Sequence, residues 1–116
     1  MHPVILLVAD ANAELLLGEF GRYARDYDVR LVRSAPDATS LCEEMSSSDG
    51  RLALVVLDPS MFVAAGVEDP HGVVLSTLYE CRQLVPSARS LVVSPFERFI
   101  EDSDALRIGQ SKGKFD

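Results

Sequence analysis

The stretch from Leu52 to Met61 reads LALVVLDPSM and constrains the fold more than any other part of the chain. An unbroken apolar run that is rich in β-branched residues is typical of a strand buried on both faces of a parallel sheet. A similar run near the N-terminus ends at Asp10, as this one ends at Asp58. Because open α/β sheets place their chemistry at the carboxyl ends of the strands, we expect Asp10 and Asp58 to lie at one sheet edge.

Two carboxylates that lie close together either bind a cation between them or raise the pKa of one member of the pair, which then keeps its proton. The alternative is that each aspartate caps the helix that follows its strand, since Asp is a preferred residue at helix N-caps. The sequence leaves both interpretations open.

The 116 residues predict a single domain, residues 1–116, which is large enough to form its own core. Eleven Lys and Arg against 18 Asp and Glu give a net charge of −7, which repels phosphate backbones and anionic lipids. We therefore expect no direct contact with nucleic acid or membrane. No apolar run reaches the length of a membrane span, and Met1 leads into a strand without a basic leader, so we expect a cytoplasmic protein.

The two cysteines, Cys42 and Cys81, form no C-x-x-C motif and no cluster with metal-ligand spacing. We expect both to lie on different helices as small buried side chains. Neither His2 nor His71 has neighbours in the sequence that support a role as ligand or base.

Strand-like and helix-like periods alternate along the chain, which predicts a parallel sheet with helices on both faces. The predicted strands cover residues 3–10, 28–33, 52–57 and 91–94. The predicted helices cover residues 12–27, 34–45 and 72–85, with an irregular one near 96–106 and a loop over 59–70. Leu16, Phe20, Tyr23 and Tyr27 are expected to form the buried stripe of the first helix. A fifth strand and its helix are missing from this pattern, so we expect a domain truncated at its C-terminal end.

Three short motifs occur in a fixed order: Val8-Ala9-Asp10, Asp58-Pro59-Ser60-Met61, and Ser94 after Leu91-Val-Val. In this order they resemble the receiver domain of bacterial response regulators, a flavodoxin-like α/β fold. The resemblance implies a three-layer sandwich with the sheet order 2-1-3-4.

The same resemblance implies roles for particular residues. Asp58 takes the position of the phosphoacceptor, and Ser94 takes that of the switch hydroxyl. Asp10, Asp58 and the backbone carbonyl of Ser60 are the implied ligands of Mg²⁺, which we expect to bind weakly. The implied partners are proteins, either a sensor kinase or an output domain.

The chain departs from the receiver pattern at several points. Ala9 stands where an acid is usual, Phe62 replaces a proline, and the loop over residues 63–71 is long. The lysine that follows the fifth strand has no counterpart, since Lys112 and Lys114 come too early. An acyl phosphate on Asp58 would add roughly two negative charges with little to neutralise them. We therefore expect a degenerate receiver that acts as a protein-interaction module and not as an enzyme.

Several other functions compete with this one. A phosphorylation-competent switch that uses Mg²⁺ at Asp10 and Asp58 is the nearest alternative. Residues 84–93 and 105–110 are also similar to receiver-like domains that precede FAD-dependent, thioredoxin-reductase-like oxidoreductases, which would make the chain their regulatory N-terminal domain. A flavin- or nucleotide-binding domain needs a phosphate loop that residues 9–14 lack, and an aspartate-nucleophile phosphatase needs a second acid that is absent after Asp58.

The predicted edge of the sheet at residues 91–94 is apolar, and Leu16 and Phe20 lack a covering layer when the fifth strand and helix are missing. Exposed strand edges pair with other chains. We therefore expect the chain to form a homodimer with twofold symmetry.

Overall fold

Four parallel strands form the central layer of the computed structural model, which describes residues 2–47 and 51–93. The strands are β1 (Val4–Val8), β2 (Asp28–Val32), β3 (Leu52–Leu57) and β4 (Arg89–Val92). The helices are α1 (Ala13–Phe20), α2 (Ala35–Ser47), α3 (Ser60–Ala64) and α4 (Pro70–Leu84), and a 3₁₀ turn (Gly21–Tyr23) follows α1.

The strand order is β2-β1-β3-β4, as predicted. β1 is buried along its whole length because it lies between β2 and β3. Val8, its last residue, is in register with Val32 of β2 and Leu57 of β3. The carboxyl ends of these three strands therefore meet at one edge of the sheet, and the chain has the flavodoxin-like α/β architecture.

Alternate residues of the strands enter two separate cores, as the two-residue period of a strand requires. The larger core lies under α2 and α4 and takes Leu6, Val8 and Leu57 from the sheet. The smaller core lies under α1 and takes Ile5 and Leu7. Among the described residues, the long helices α2 and α4 cover one face of the sheet and the short helix α1 covers the other.

Cys42 of α2 and Cys81 of α4 both lie in the larger core, and their side chains are buried as expected. Interaction with the Cys42 thiol, together with burial, raises the pKa of the Cys81 thiol above its ordinary value. The pair contributes to the packing between α2 and α4.

The first helix is shorter than predicted. It ends at Phe20 and gives way to the 3₁₀ turn, so the apolar stripe of residues 12–27 does not form one helical face. Leu16 is buried and Phe20 is half-buried, but Tyr23 is 43% exposed. Glycine at positions 18 and 21 lowers helix propensity at this point, which accounts for the early end.

Two further boundaries differ from the prediction. The segment predicted as a loop over residues 59–70 contains α3, and α4 begins at Pro70, where proline suits the first turn of a helix. β4 begins at Arg89 because backbone pairing with Leu54 extends the strand into residues that are not apolar.

Some predictions lie outside the described residues: the role of Ser94, the irregular helix near residues 96–106, and the comparison of Lys112 and Lys114 with the family lysine. Within residues 2–47 and 51–93, no helix is both long and apolar enough to cross a bilayer.

Candidate functional site

Asp58 is the first residue after β3 and is only 2% exposed. Its backbone N–H donates to the carbonyl of Val8 at 2.9 Å, so the β1–β3 ladder continues to this point. The ladder therefore holds Asp58 at the carboxyl edge of the sheet. A buried carboxylate at this place requires hydrogen-bond donors, because its desolvation is otherwise costly.

Three donors meet that requirement. The backbone N–H of Ser60 donates to Oδ1 of Asp58 at 3.0 Å, and the Ser60 hydroxyl donates to the same oxygen at 2.6 Å. The side-chain amide of Asn12 donates to Oδ2 at 2.8 Å. Hydrogen bonds to an ionised acceptor are stronger than those between neutral groups. Asp58 is thus held through both of its oxygens by groups of this chain.

The contact with Ser60 resembles helix capping. Ser60 is the first residue of α3, and its free N–H is satisfied by the preceding carboxylate. The alternative prediction, that Asp58 serves the helix that follows it, therefore describes one of its contacts. It does not account for the bond to Asn12, which lies 46 residues earlier in the chain.

Asp10 lies at the same edge of the sheet, two residues beyond the end of β1, but its carboxylate has a different partner. Arg33 donates from Nη1 to Oδ1 of Asp10 at 3.1 Å and to the Asp10 carbonyl at 3.2 Å. The Asp10 side chain is 64% exposed, and exposed ion pairs of this kind contribute little to stability. The two carboxylates share an edge but belong to separate hydrogen-bond groups.

The candidate ligands Asp10, Asp58 and Ser60 fit a magnesium ion poorly in this arrangement. Three hydrogen bonds use most of the lone pairs of Asp58, and Oδ1 of Asp10 accepts a hydrogen bond from Arg33. Mg²⁺ demands near-ideal octahedral oxygen ligation. Across the described ranges, no group of three or more His, Cys, Asp or Glu is suited to hold a metal ion.

Val93 marks the approach of the fourth strand to the site. Its N–H donates to the carbonyl of Leu57 at 3.0 Å, next to Asp58 in the chain. Ser94, the predicted switch hydroxyl, is the following residue and lies outside the described ranges.

Sequence reasoning missed two residues of the site, Asn12 and Arg33. Arg33 follows the last residue of β2, so its arrival at the same edge as Asp10 was available from the strand pattern. Asn12 carried no such signal, because an Asn before a helix is expected to cap that helix.

A comparison with one solved structure agrees with the fold. A crystal structure of a response regulator from Thermotoga maritima aligns with a TM-score of 0.57 at 15% sequence identity, covering 90% of this chain and 79% of that one. A solution structure of a phosphate-loop protein aligns with a TM-score of 0.46 at 16% identity, over 96% of this chain and 93% of that one. No protein-family model and no curated protein sequence matches the chain.

Proposed function

We propose that this chain is a degenerate receiver-like domain that regulates a partner protein by docking to it. Support comes from the receiver-like fold and from the place of Asp58, the candidate phosphoacceptor, at the carboxyl end of β3. The partner is a sensor kinase or an output domain, the setting is the cytoplasm, and the domain itself catalyses no reaction. The observation that carries this proposal is that both oxygens of the buried Asp58 carboxylate accept hydrogen bonds from groups of the chain itself.

Phosphorylation of Asp58 would weaken these contacts. The oxygen that attacks a phosphoryl group gives a lone pair to the new bond and becomes a poorer acceptor for its donors, and the product carries roughly two negative charges. Arg33, the cation at this edge among the described residues, is already bound to Asp10. Weak Mg²⁺ binding at Asp10, Asp58 and the Ser60 carbonyl offsets little of the added charge. We therefore propose that Asp58 is phosphorylated poorly or not at all.

A phosphorylation-competent switch is the second candidate. It is favoured by the same position of Asp58 and by the likeness to a response regulator. The two candidates predict opposite results when the protein meets a small phosphodonor.

Intact-mass spectrometry after incubation with acetyl phosphate and Mg²⁺ separates them. We expect the mass of the wild-type chain to stay unchanged, as that of the Asp58→Asn variant must. Addition of one phosphoryl group in near-stoichiometric yield, absent from the Asp58→Asn variant, would overturn the degenerate-receiver proposal. An active response regulator treated in parallel verifies that the acetyl phosphate transfers its phosphoryl group under these conditions.

A further inference from the structure

We infer that Asn12 takes the place of a cation at Asp58: its amide satisfies the buried carboxylate and weakens the binding of divalent cations there. This inference deepens the proposed function and rests on it. The evidence begins with the position of Asn12, which is the N-cap residue of α1. Its side chain makes no capping hydrogen bond there and reaches across to Asp58 instead. Asn12 is therefore not explained by the helix that it precedes.

The amide closes a small ring of hydrogen bonds. Nδ2 of Asn12 donates to Oδ2 of Asp58 at 2.8 Å and to the Ser60 hydroxyl oxygen at 3.2 Å. The Ser60 hydroxyl in turn donates to Oδ1 of Asp58 at 2.6 Å. Both hydrogens of the amide and the hydroxyl hydrogen are thus directed inside the ring. The carboxylate is satisfied by neutral dipoles, and no metal ion is needed to stabilise it.

The same ring disfavours a cation. Oδ1 of Asp58 already accepts two hydrogen bonds, so a cation must approach Oδ2, where the positive end of the Asn12 amide dipole lies. A carboxylate at position 12 would reverse this situation, because it would face Asp58 directly with Asp10 at the same edge. Like charges at that separation are tolerated only with a cation or a proton between them. Position 12 therefore decides whether this edge of the sheet binds a cation weakly or strongly.

The test compares Asn12→Asp with Gly18→Asp, which adds the same charge on α1 where a Cβ meets nothing within 4 Å. Mg²⁺ affinity is measured by isothermal titration calorimetry, and thermal unfolding is followed in EDTA and in Mg²⁺. We expect Asn12→Asp to bind Mg²⁺ at least roughly tenfold more tightly than wild type, since ligand charge sets the affinity of such sites. Its unfolding temperature should fall in EDTA and recover in Mg²⁺, whereas Gly18→Asp should follow wild type.

Two further variants complete the test. Asn12→Ala should unfold at a lower temperature than wild type in EDTA, because Asp58 loses a donor without gaining a ligand. Asn12→Asp combined with Asp58→Asn should lose the gain in Mg²⁺ affinity.

The inference is overturned if Asn12→Asp binds Mg²⁺ no better than Gly18→Asp, or if wild type already responds to Mg²⁺ as strongly as Asn12→Asp. It is also overturned if Asn12→Ala is as stable as wild type in EDTA. None of these results depends on whether acetyl phosphate modifies the wild-type chain, so this test and that of the proposed function can fail separately.

Discussion

Asp58 and Thr77 are both buried polar side chains, and they are satisfied in different ways. The Thr77 hydroxyl donates to the carbonyl of Val73 within the same helix, at 2.7 Å. Asp58 draws one of its donors from Asn12, which belongs to another element. Loss of a local partner affects one helix, whereas loss of the Asn12–Asp58 bond affects the junction of β1, α1 and β3. The distant bond is therefore the more consequential contact at the residue scale.

The thiol pair gives a prediction for pH dependence. The folded state raises the pKa of Cys81, so the folded protein keeps a proton that the unfolded chain loses above roughly pH 8.5. The free energy of unfolding should then fall as pH rises through that range, by up to about 1.4 kcal/mol per pH unit. Urea unfolding between pH 8 and pH 10 measures this slope.

The control for this slope is the double variant Cys42→Ala/Cys81→Ala, which lacks both thiols and should show a shallower fall with pH. Its lower overall stability, from the cavity in the core, does not affect the comparison of slopes. Equal slopes in the two proteins would mean that the thiols titrate alike in the folded and unfolded states.

The sequence predicted the placement of Asp10 and Asp58 at one edge, because strand period and parallel order fix where a strand ends. It did not predict which partner each carboxylate takes. The hydrogen-bond partners of a side chain depend on its rotamer and on the orientation of α1 relative to the sheet. Neither can be predicted from a local sequence pattern. Asn12 and Arg33 could be identified only once the elements were packed.

At the scale of the elements, the start of α4 is the most clearly specified boundary. Asp69 accepts a hydrogen bond from the N–H of Gly72 at 3.1 Å, and Pro70 stands in the first turn. A Cβ at position 72 would collide with the Asp69 carboxylate. Glycine therefore leaves room for the capping side chain, and the three residues form one helix-start signal.

Replacement of the cap tests this account. Asp69→Ala should lower the free energy of unfolding by about 1 kcal/mol, the usual contribution of an N-cap. Glu68→Ala, at the exposed neighbouring position, is the matched control and should be close to neutral. Urea denaturation gives both values. An equal loss in the two variants would point to the general charge of this loop and not to the cap.

The sequence predicted helices and strands correctly where their hydrophobic period was strong. It failed where backbone hydrogen bonds set the boundary of an element. The buried strands β1 and β3 were predicted closely, because their apolar runs leave few alternatives. The five residues of α3 are too short to show a helical period, and they form because the turn after Asp58 satisfies the first N–H of the helix. Arg89 belongs to β4 because its backbone pairs with Leu54, and such pairing cannot be predicted from the pattern of side chains.

At the scale of the molecule, the residues that the structure describes cover the two faces of the sheet unequally. On the face of α1, a groove of about 470 Å³ opens beside the 3₁₀ turn and β4. Aliphatic and aromatic side chains line most of it, among them Phe20, Tyr23, Leu54 and Leu91. Leu91 is 45% exposed, although the strand that carries it belongs to the sheet.

This surface suits a second copy of the chain. Aromatic side chains are enriched at protein interfaces. Among the described residues that line the groove, Arg89 is charged and none carries a carboxylate, although the chain has a net charge of −7. Within the described sheet, β4 has a neighbour on one side only. A strand edge is complementary to its own copy when the two strands run antiparallel about a twofold axis. We therefore expect the predicted homodimer to form through β4 and this groove.

Leu91→Lys tests that expectation, because a charge on the exposed side of β4 opposes edge pairing and removes an apolar contact. Leu15→Lys is the matched control: Leu15 is 65% exposed on α1 and is not part of the groove lining. Sedimentation velocity at micromolar concentration should show a dimer for wild type and for Leu15→Lys, and a monomer for Leu91→Lys. Dissociation of both variants would indicate a general effect of added charge, and a monomeric wild-type chain would mean that this apolar surface does not mediate self-association.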